Sequence, residues 1–441
     1  MYEGEFFSQR AGLVEDLKDQ QRGLKDFSLN DLPERHKTHV IILILVLIAF
    51  VGIALYSNIL NAPFILDDYS AIVDNEAVKN ISQSLGNISG NRYLASLSFA
   101  FNYAAGGLKP FGYHLINNLI HIINAILIYY LVVLTFRTPY FSSQQSPIHP
   151  FTHSPIHRFT DSPSFIAFSV AFIFVAHPVQ TQAVTYIAQR ATSMATMFYL
   201  LSLVMYIKFR LQVSDNRCQV SGDREQNKTL NLRPKTLYLC SVVSAIFAMK
   251  TKEIAFTLPF IITLYELCFF KKTLNSRLGE SPKETELSPR RVAEGDQTPN
   301  WKRFLYLLPI LLTLLIIPLS MINFKAPVEV ITQDINVQSR ETVNITRIDY
   351  LLTQFRVIVT YLRLLILPVN QSLDYSYPVY NSFLNPQVFL SFLFLLTMFG
   401  FAVYLFYSSR KTHHALRLAG FGILWFFITL SVESSVIPIK D

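Results

Sequence analysis

The sequence contains few charged residues and few cysteines for its length. Only 15% of its 441 residues are charged, whereas 51% are hydrophobic, which is more apolar surface than one or two soluble cores could bury. Three cysteines, Cys218, Cys240 and Cys268, are too few and too scattered for a disulfide framework. The net charge of +8 forms no basic stripe interleaved with aromatic residues. We therefore expect no nucleic acid partner, and a membrane surface instead.

A series of long apolar runs dominates the chain. The run 40–56 contains no charged residue and is close to the ~20 residues that cross a bilayer as a helix. Because backbone polar groups in hydrocarbon must bond within their own segment, and because the runs do not alternate as barrel strands would, we expect helices. The predicted fold is an all-α integral membrane protein, a multi-pass helical bundle of about nine or ten spans. The other runs lie at 115–136, 164–176, 191–207, 236–249, 254–270, 304–323, 388–407 and 418–432.

The charges around the first run predict its orientation. Arg35 and Lys37 precede it, while 58–78 contains four carboxylates and no Lys or Arg. Basic residues favour the cytoplasmic side of a membrane, so residues 1–38 are predicted to be a cytoplasmic tail and 39–441 a transmembrane domain. The first loop, 58–113, is then extracytoplasmic and is expected to carry short juxtamembrane helices.

Two hydrophilic segments are predicted to be disordered cytoplasmic insertions or linkers. The first, 137–163, contains an octapeptide repeat that begins at Ser146 and again at Ser154. Such Pro, Ser and His repetition cannot pack a core. Its histidines could bind a metal weakly, although a low-complexity loop without chemistry is the simpler interpretation. The second segment is 271–300.

The run at 347–368 has two open interpretations. If it crosses the membrane, then 369–384, without any Lys or Arg, falls on the cytoplasmic side, and the basic residues of 410–417 fall outside. This distribution opposes the usual charge bias. In the other interpretation the helix lies along the outer interface or re-enters, with the face that carries Arg356 and Arg363 toward the site.

An adjacent carboxylate pair, Asp67 and Asp68, follows the first span. One interpretation is structural, because Asp is favoured at the start of a short helix. The other is catalytic, because the second span carries Asn117, His121 and Asn124 on one face of its outer half. Polar residues at that depth face a cavity or the bundle interior rather than lipid, and this cavity would lie near the acidic pair.

Basic residues are also predicted at the outer edge, where the charge bias disfavours them. His177, Gln180 and Arg190 follow the third span, and Lys252 and Glu253 lie between the fifth and sixth. An anionic ligand would explain these cations. Snorkelling to lipid phosphates and structural ion pairs are the alternatives. Carboxylates beside a membrane groove edged with cations suit glycosyl transfer from a lipid-phosphate sugar, because the phosphate needs cations and the incoming hydroxyl needs a base.

The chain also resembles a known family over about 40–441. It looks like the bacterial relatives of the transmembrane and tetratricopeptide-repeat proteins, which are O-mannosyltransferase-like members of the GT-C glycosyltransferase superfamily. The resemblance implies a GT-C-like fold and a location in the inner membrane of a bacterium. The matching strings are Phe64-Ile-Leu-Asp67-Asp68 with Asn75, Arg92 with Phe101-Asn102-Tyr103, Gly112-Tyr113-His114-Leu-Ile-Asn117 with His121, Ala176-His177-Pro178-Val-Gln180 through Tyr186 to Gln189-Arg190, Met249-Lys-Thr-Lys252-Glu253, and Tyr361-Leu-Arg363-Leu-Leu.

The resemblance implies an inverting transferase that moves a mannose-like sugar from a polyprenyl-phosphate donor to a hydroxyl acceptor on the extracytoplasmic side. Membrane lipid, the lipid-linked donor and a protein or glycan acceptor would be its partners. No cofactor is firmly indicated, although a divalent metal could take part. The implied roles are catalytic for Asp67 and Asp68, with Asp68 favoured as the base, donor-phosphate-binding for Arg190, Lys252, Arg92 and Arg356, and cavity-lining for Asn117, His121, His177, Gln180 and Glu253.

Three departures from the family pattern keep other functions open. Tyr93 follows Arg92 where the pattern has Pro, the 146–163 repeat interrupts the region before the third span, and the sequence stops at Asp441. Relatives continue into an outer Glu-His-Arg string, further spans and repeats. The alternatives are therefore a lipid or solute transporter, and a catalytically inactive membrane scaffold such as a truncated reading frame would give.

Overall fold

A computed structural model describes residues 34–86, 92–142, 163–218, 232–270, 300–321, 345–373, 375, 377–409 and 414–434. Every regular element within these ranges is a helix. The octapeptide repeat and the interior of the second predicted insertion lie outside the described residues. The main helices are α1 (Glu34–Tyr56), α2 (Tyr93–Gly106), α3 (Pro110–Phe136), α4 (Pro163–Ala176), α5 (Arg190–Cys218), α6 (Pro234–Met249), α7 (Leu258–Tyr265), α8 (Asn300–Leu312), α9 (Arg347–Ile366), α10 (Pro386–Ser408) and α11 (His414–Leu430).

Short helical turns connect the main helices. Several main helices begin with proline, which is suited to a first turn because its missing N–H has no partner there. Pro178 has the opposite effect, since the residue before a proline avoids the helical region, and His177 is extended. The short turns are Ser57–Ile59, Tyr69–Val73, Glu76–Lys79, Ile81–Gly86, Pro139–Ser142, Pro178–Gln180, Thr181–Thr185, Ile187–Gln189, Glu253–Thr257, Glu266–Phe270, Thr313–Leu315 and Ile316–Met321.

The lengths and compositions of the helices support a helical membrane protein. Five helical stretches are long and apolar enough to span, and a sixth results if the pair Pro163–Ala176 and Pro178–Thr185, bent by 49°, counts as one. Three shorter apolar helices, Pro234–Met249, Leu305–Ser320 and Ala415–Leu430, accompany them. The described residues therefore do not establish the predicted nine or ten spans. The five stretches are Thr38–Ile59, Pro110–Phe136, Ile187–Ser214, Glu253–Phe270 and Pro386–Ser408.

The bundle has two ends, which we call the Asp68 end and the Glu266 end after the residues found there. Helix α5 packs along α6 and α3, and α3 also packs on α4 and α1. Gly52 marks the closest approach of α1, because a Cβ at this position would lie 2.6 Å from Ile122 Cγ1 of α3. A small residue at such a contact lets helix backbones approach closely in lipid.

A buried ion pair crosses the bundle at the Glu266 end. Arg210 of α5 donates from Nε to Glu266 Oε2 at 2.9 Å and from a terminal nitrogen to Glu266 Oε1 at 2.6 Å. Tyr206 also donates to Glu266, at 3.1 Å. This acidic residue is therefore paired inside the bundle.

Helix α9 has both of its ends at the Asp68 end of the bundle. Near its start, the Tyr350 hydroxyl donates to the backbone carbonyl of Glu433, which follows α11. At its other end, the carbonyl of Leu365 accepts from the ring of His177 at 3.1 Å. Glu433 pairs with Lys252, just after α6, so both contacts belong to one layer. The helix lies across this end of the bundle, as the second of the two interpretations of 347–368 predicts.

The orientation of α9 fixes the course of the next two helices. Tyr380 and Tyr377 contact α9 through Thr353 and Thr360, so α10 starts near the Asp68 end. Helices α10 and α11 form a hairpin. At the end of the hairpin away from Asp68, Arg417 of α11 donates to the carbonyl of Cys268 at 3.0 Å, beside Glu266. Helix α11 then returns to the Asp68 end and delivers Glu433 there.

Candidate functional site

The two carboxylates of the acidic pair have different environments. The Asp68 side chain is buried, with Oδ1 accepting from the N–H of Ala188 at 2.7 Å and Oδ2 from the N–H of Ile65 at 3.0 Å. The Asp67 residue is exposed. Burial raises the pKa of Asp68 above its ordinary value, although its two backbone hydrogen bonds act in the opposite direction. Asp68 therefore fastens the first loop to 186–190, and Asp67 presents the accessible carboxylate.

A helical turn orients the pair. Leu66 has a positive φ of 45°, which is rare for a bulky residue, and it reverses the chain just before Asp67. Asp68 has helical dihedrals and makes no capping bond to the turn that follows. The structural alternative for this pair was a helix cap. The structure instead shows Asp68 bonded to a different segment.

Tyr186 lies directly against Asp67. Its hydroxyl accepts the N–H of Asp67 at 2.9 Å and is also hydrogen-bonded to the Asp67 side chain. Burial, with the two adjacent carboxylates, raises the pKa of Tyr186 to about 12, so the hydroxyl keeps its proton and can donate to the carboxylate. Tyr186 thereby holds both the backbone and the side chain of Asp67.

The structure corrects the expected role of Arg190. Its side chain is completely buried, and each guanidinium nitrogen is engaged. Nε donates to Asn117 Oδ1 at 2.7 Å, one terminal nitrogen to Asn102 Oδ1 at 2.5 Å, and the other to the carbonyl of Tyr113 at 2.9 Å. The guanidinium also lies 4.5 Å from the ring centroid of Phe99. This arginine ties α2 and α3 to the start of α5, so it does not face a donor phosphate.

The polar face of α3 likewise packs inside the bundle, where its side chains bind backbone groups. Asn117 donates to the carbonyls of Val184, Tyr186 and Ile187 at 3.4–3.5 Å. His121 contacts the carbonyl of Val175 at 3.2 Å, and Asn124 donates to the carbonyl of Ser193 at 3.0 Å. These side chains satisfy backbone groups left unpaired where the helices break around 175–190. They support the backbone of the site from the interior of the bundle.

The accessible cations lie around Lys252. Its Nζ is 3.1 Å from Glu433 Oε1 and donates to Thr192 Oγ1 at 3.0 Å. The neighbouring Glu253 is 3.7 Å from Nε of Arg92, and both of these side chains are exposed. The structural ion pairs offered as an alternative are therefore present. We call Lys252, Glu433, Arg92 and Glu253 the ion-pair cluster.

The remaining predicted residues lie near α9. His177 accepts the N–H of Val179 at Nδ1, so its Nε2 carries the proton given to Leu365. Gln180 is half-buried in the next turn. Arg356 of α9 is half-buried, between the two threonines that hold 377–380. Within the described parts of the chain, its side chain makes no ion pair or hydrogen bond.

One segment, 186–192, binds both Asp68 of the acidic pair and Lys252. Ala188 binds Asp68, and Thr192, four residues later, binds Lys252. Four helical residues rise about 6 Å and return to the same face, so the two attachments lie one turn apart. Glu433 and Thr192 were absent from the sequence prediction. The sequence does contain a signal for Glu433, because this acidic residue lies at the edge of the last apolar run.

No metal centre is evident in the described ranges. They contain no group of three or more His, Cys, Asp and Glu side chains arranged to hold an ion. A divalent metal therefore remains an expectation from the sequence.

The fold and site define the chain as a helical membrane protein with a polar site at one end of the bundle. Its sequence is similar to protein O-mannosyl-transferases. It is 27% identical to Tmtc3 of Drosophila melanogaster over 63% of this chain and 31% of the relative. It is 31% identical to TMTC2 of Homo sapiens over 36% of this chain and 18% of the relative. It is 27% identical to tmtc2 of Xenopus laevis over 50% of this chain and 23% of the relative.

These similarities relate the chain to the TMTC protein O-mannosyl-transferases. The chain spans less than a third of the length of each of these three relatives. No protein-family model and no solved structure matches it.

Proposed function

We propose that this chain transfers a mannose-like sugar from a polyprenyl-phosphate donor to a hydroxyl acceptor, with inversion, at the Asp68 end of the bundle. The observation that carries the proposal is the attachment of the acidic pair and Lys252 one turn apart on 186–192. The segment 186–192 thereby holds the acidic pair and a cation at the same end of the bundle, as a base for the acceptor and a partner for the leaving phosphate require. The names of the relatives support the same class of reaction.

In this mechanism Asp67 is the base. Its exposed carboxylate takes the proton of the acceptor hydroxyl as the oxygen attacks the anomeric carbon, and Tyr186 fixes its position. Asp68 is a positioning residue because both of its oxygens are held by backbone N–H groups. The preference from sequence was Asp68, and we assign the base role to its exposed neighbour instead.

The leaving phosphate is placed at the ion-pair cluster. Lys252, with Arg92 paired to the adjacent Glu253, stabilises the charge that develops on the phosphate as the glycosidic bond breaks, and Arg356 of α9 is a further candidate for this role. The apolar sides of the bundle keep the polyprenyl chain in the bilayer. We place this end on the extracytoplasmic side and the N-terminus in the cytoplasm, because the first loop is acidic and Arg417 lies at the opposite end.

The test is transfer of label from a polyprenyl-phosphate mannose to a serine- and threonine-containing peptide in liposomes. The parent protein should form labelled peptide, and Asp67→Asn should lower turnover ~10²- to 10⁴-fold. Asp74→Asn, an exposed carboxylate of the same loop, is the matched control and should keep full activity. Full activity of Asp67→Asn would exclude Asp67 as the base.

The same liposomes separate the other functions. Movement of the labelled lipid between leaflets without covalent transfer would indicate a transporter. A parent protein that neither transfers nor moves the lipid would indicate a scaffold, and either result overturns the proposal.

A further inference from the structure

Glu433 forms an ion pair with Lys252, the residue to which we assign the donor phosphate. The lysine side chain is only 13% exposed, and its ammonium has two described partners, the Glu433 carboxylate and the Thr192 hydroxyl. Thr192 in turn donates to Gln189 Oε1 at 2.7 Å, so it belongs to the fixed segment 186–192. Of the two partners, Glu433 is therefore the one with a side chain able to leave.

The backbone of Glu433 is anchored independently of its carboxylate. Tyr350 of α9 donates to the Glu433 carbonyl at 2.8 Å, whereas the carboxylate reaches Lys252 through the rotatable side chain. The side chain of Glu433 is 30% exposed, so it can rotate toward solvent while the main chain stays in place. The pair is built as a contact that can open.

We propose that Glu433 is a competing anion that the donor phosphate replaces on Lys252, an inference that rests on the proposed function. A phosphodiester carries one negative charge, as a glutamate does, so the exchange leaves the net charge around Lys252 unchanged. The exchange also avoids burying an unpaired ammonium at any stage. Glu433 thereby sets the affinity for the lipid phosphate without touching the sugar.

Competition predicts that removing the charge of Glu433 tightens phosphate binding. Glu433→Gln keeps the side-chain shape and the backbone bond to Tyr350. It should bind farnesyl phosphate, a short polyprenyl phosphate, about two- to fivefold more tightly than the parent, as expected for a partly exposed ion pair. The KM for the lipid donor should fall by a similar factor. A purely structural role for Glu433 predicts no gain in either quantity.

The binding experiment uses the full chain in detergent micelles. It compares the parent and Glu433→Gln with four further variants. Lys252→Ala should weaken binding, and Lys252→Ala with Glu433→Gln should bind no better than Lys252→Ala alone, because the competitor then has nothing to compete for. Glu76→Gln, whose partner is Lys79 at 2.8 Å on the exposed surface, controls for net charge and should match the parent. Glu433→Asp withdraws the carboxylate by one methylene and gives a smaller gain, and it decides the question if the glutamine variant does not fold.

The outcomes distinguish this inference from the proposed function. If the parent binds and Glu433→Gln and Glu433→Asp bind no more tightly, the competition is refuted and the transfer function stands. If the parent fails to bind and Glu433→Gln binds, the competition is supported in its strongest form. If no variant binds farnesyl phosphate, both proposals are overturned.

Discussion

Asn117 and Arg190 are joined by a 2.7 Å hydrogen bond between the amide oxygen and Nε, and neither side chain is exposed. The same asparagine binds three carbonyls of the break before α5 with its amide nitrogen. The pair thus connects the second predicted span to the segment that carries the proposed site.

Loss of Arg190 is expected to destabilise the fold. Arg190→Gln leaves buried acceptors on Asn102, Asn117 and Tyr113 without a donor, at ~1–3 kcal/mol for each group left unsatisfied. We expect a loss of about 2–4 kcal/mol, measured by unfolding in detergent. Arg137→Gln, an exposed arginine at the other end of α3, should change stability by less than about 0.5 kcal/mol. Normal stability with lost phosphate binding in Arg190→Gln would restore the ligand role.

The raised pKa of Asp68 predicts a pH-dependent stability difference. An aspartate ordinarily titrates near 4, and burial raises the pKa of Asp68 in the folded protein. Between the two values the folded state binds more protons, so the Asp68 contribution to stability falls as pH rises through this window. The unfolding midpoint of the parent relative to Asp68→Asn should therefore fall from about pH 4 upward. A difference that increases with pH would show a lowered pKa.

The orientation of α9 predicts the labelling of its two ends. In a variant whose own cysteines are replaced by alanine, Ile348→Cys and Leu367→Cys, both exposed in the structure, should react alike with a membrane-impermeant maleimide in intact cells. Lys235→Cys, at the opposite end of the bundle, should show the opposite behaviour. Labelling of only one end of α9 would mean that it crosses the membrane.

The contact at Gly52 predicts a position that does not accept side chains. Gly52→Ala places a Cβ against Ile122 and should cost about 1–3 kcal/mol, the usual range for overpacking. Gly400→Ala, within α10 and without a neighbour inside 4 Å, is the matched control and should not destabilise. Adding Ile122→Ala to Gly52→Ala should recover part of the loss, and additive losses would refute the steric explanation.

The buried pair Arg210–Glu266 predicts a strong asymmetry between single and double changes. Glu266→Gln leaves the buried arginine without its carboxylate and should cost about 3–5 kcal/mol. Replacing both residues by apolar residues of similar volume, Arg210→Met with Glu266→Leu, should cost much less. Thermal unfolding of the two variants measures the difference. Equal losses would mean that the charge pairing contributes little.

The helices were predictable because apolar runs of about 20 residues have few alternatives in lipid. The run at 40–56 falls within Glu34–Tyr56, and the run at 115–136 within Pro110–Phe136. The placement of 347–368 was left open because a single amphipathic run fits either orientation. Only the contacts of Tyr350 and Leu365 at its two ends decide it.

The site was predictable as a set of residues but less so in its roles. Sequence shows that Arg190 is a cation at the edge of a span, yet its acceptors come from two other helices, α2 and α3. Sequence also gives no sign that Leu66 adopts a positive φ, which makes Asp68 rather than Asp67 the buried carboxylate. Distant partners and rare backbone conformations are the features that local pattern does not encode.

The pairing of Lys252 with Glu433 also sets an order of assembly. Chains fold from the N-terminus as they are synthesised, at about 5–20 residues per second, and Glu433 follows every other residue of the ion-pair cluster. Asp67, Asp68 and Lys252 are therefore synthesised before the Glu433 carboxylate that pairs with the lysine. The lysine acquires this partner only when α11 has been inserted, so the two-sided environment of Lys252 is among the last parts of the described bundle to form.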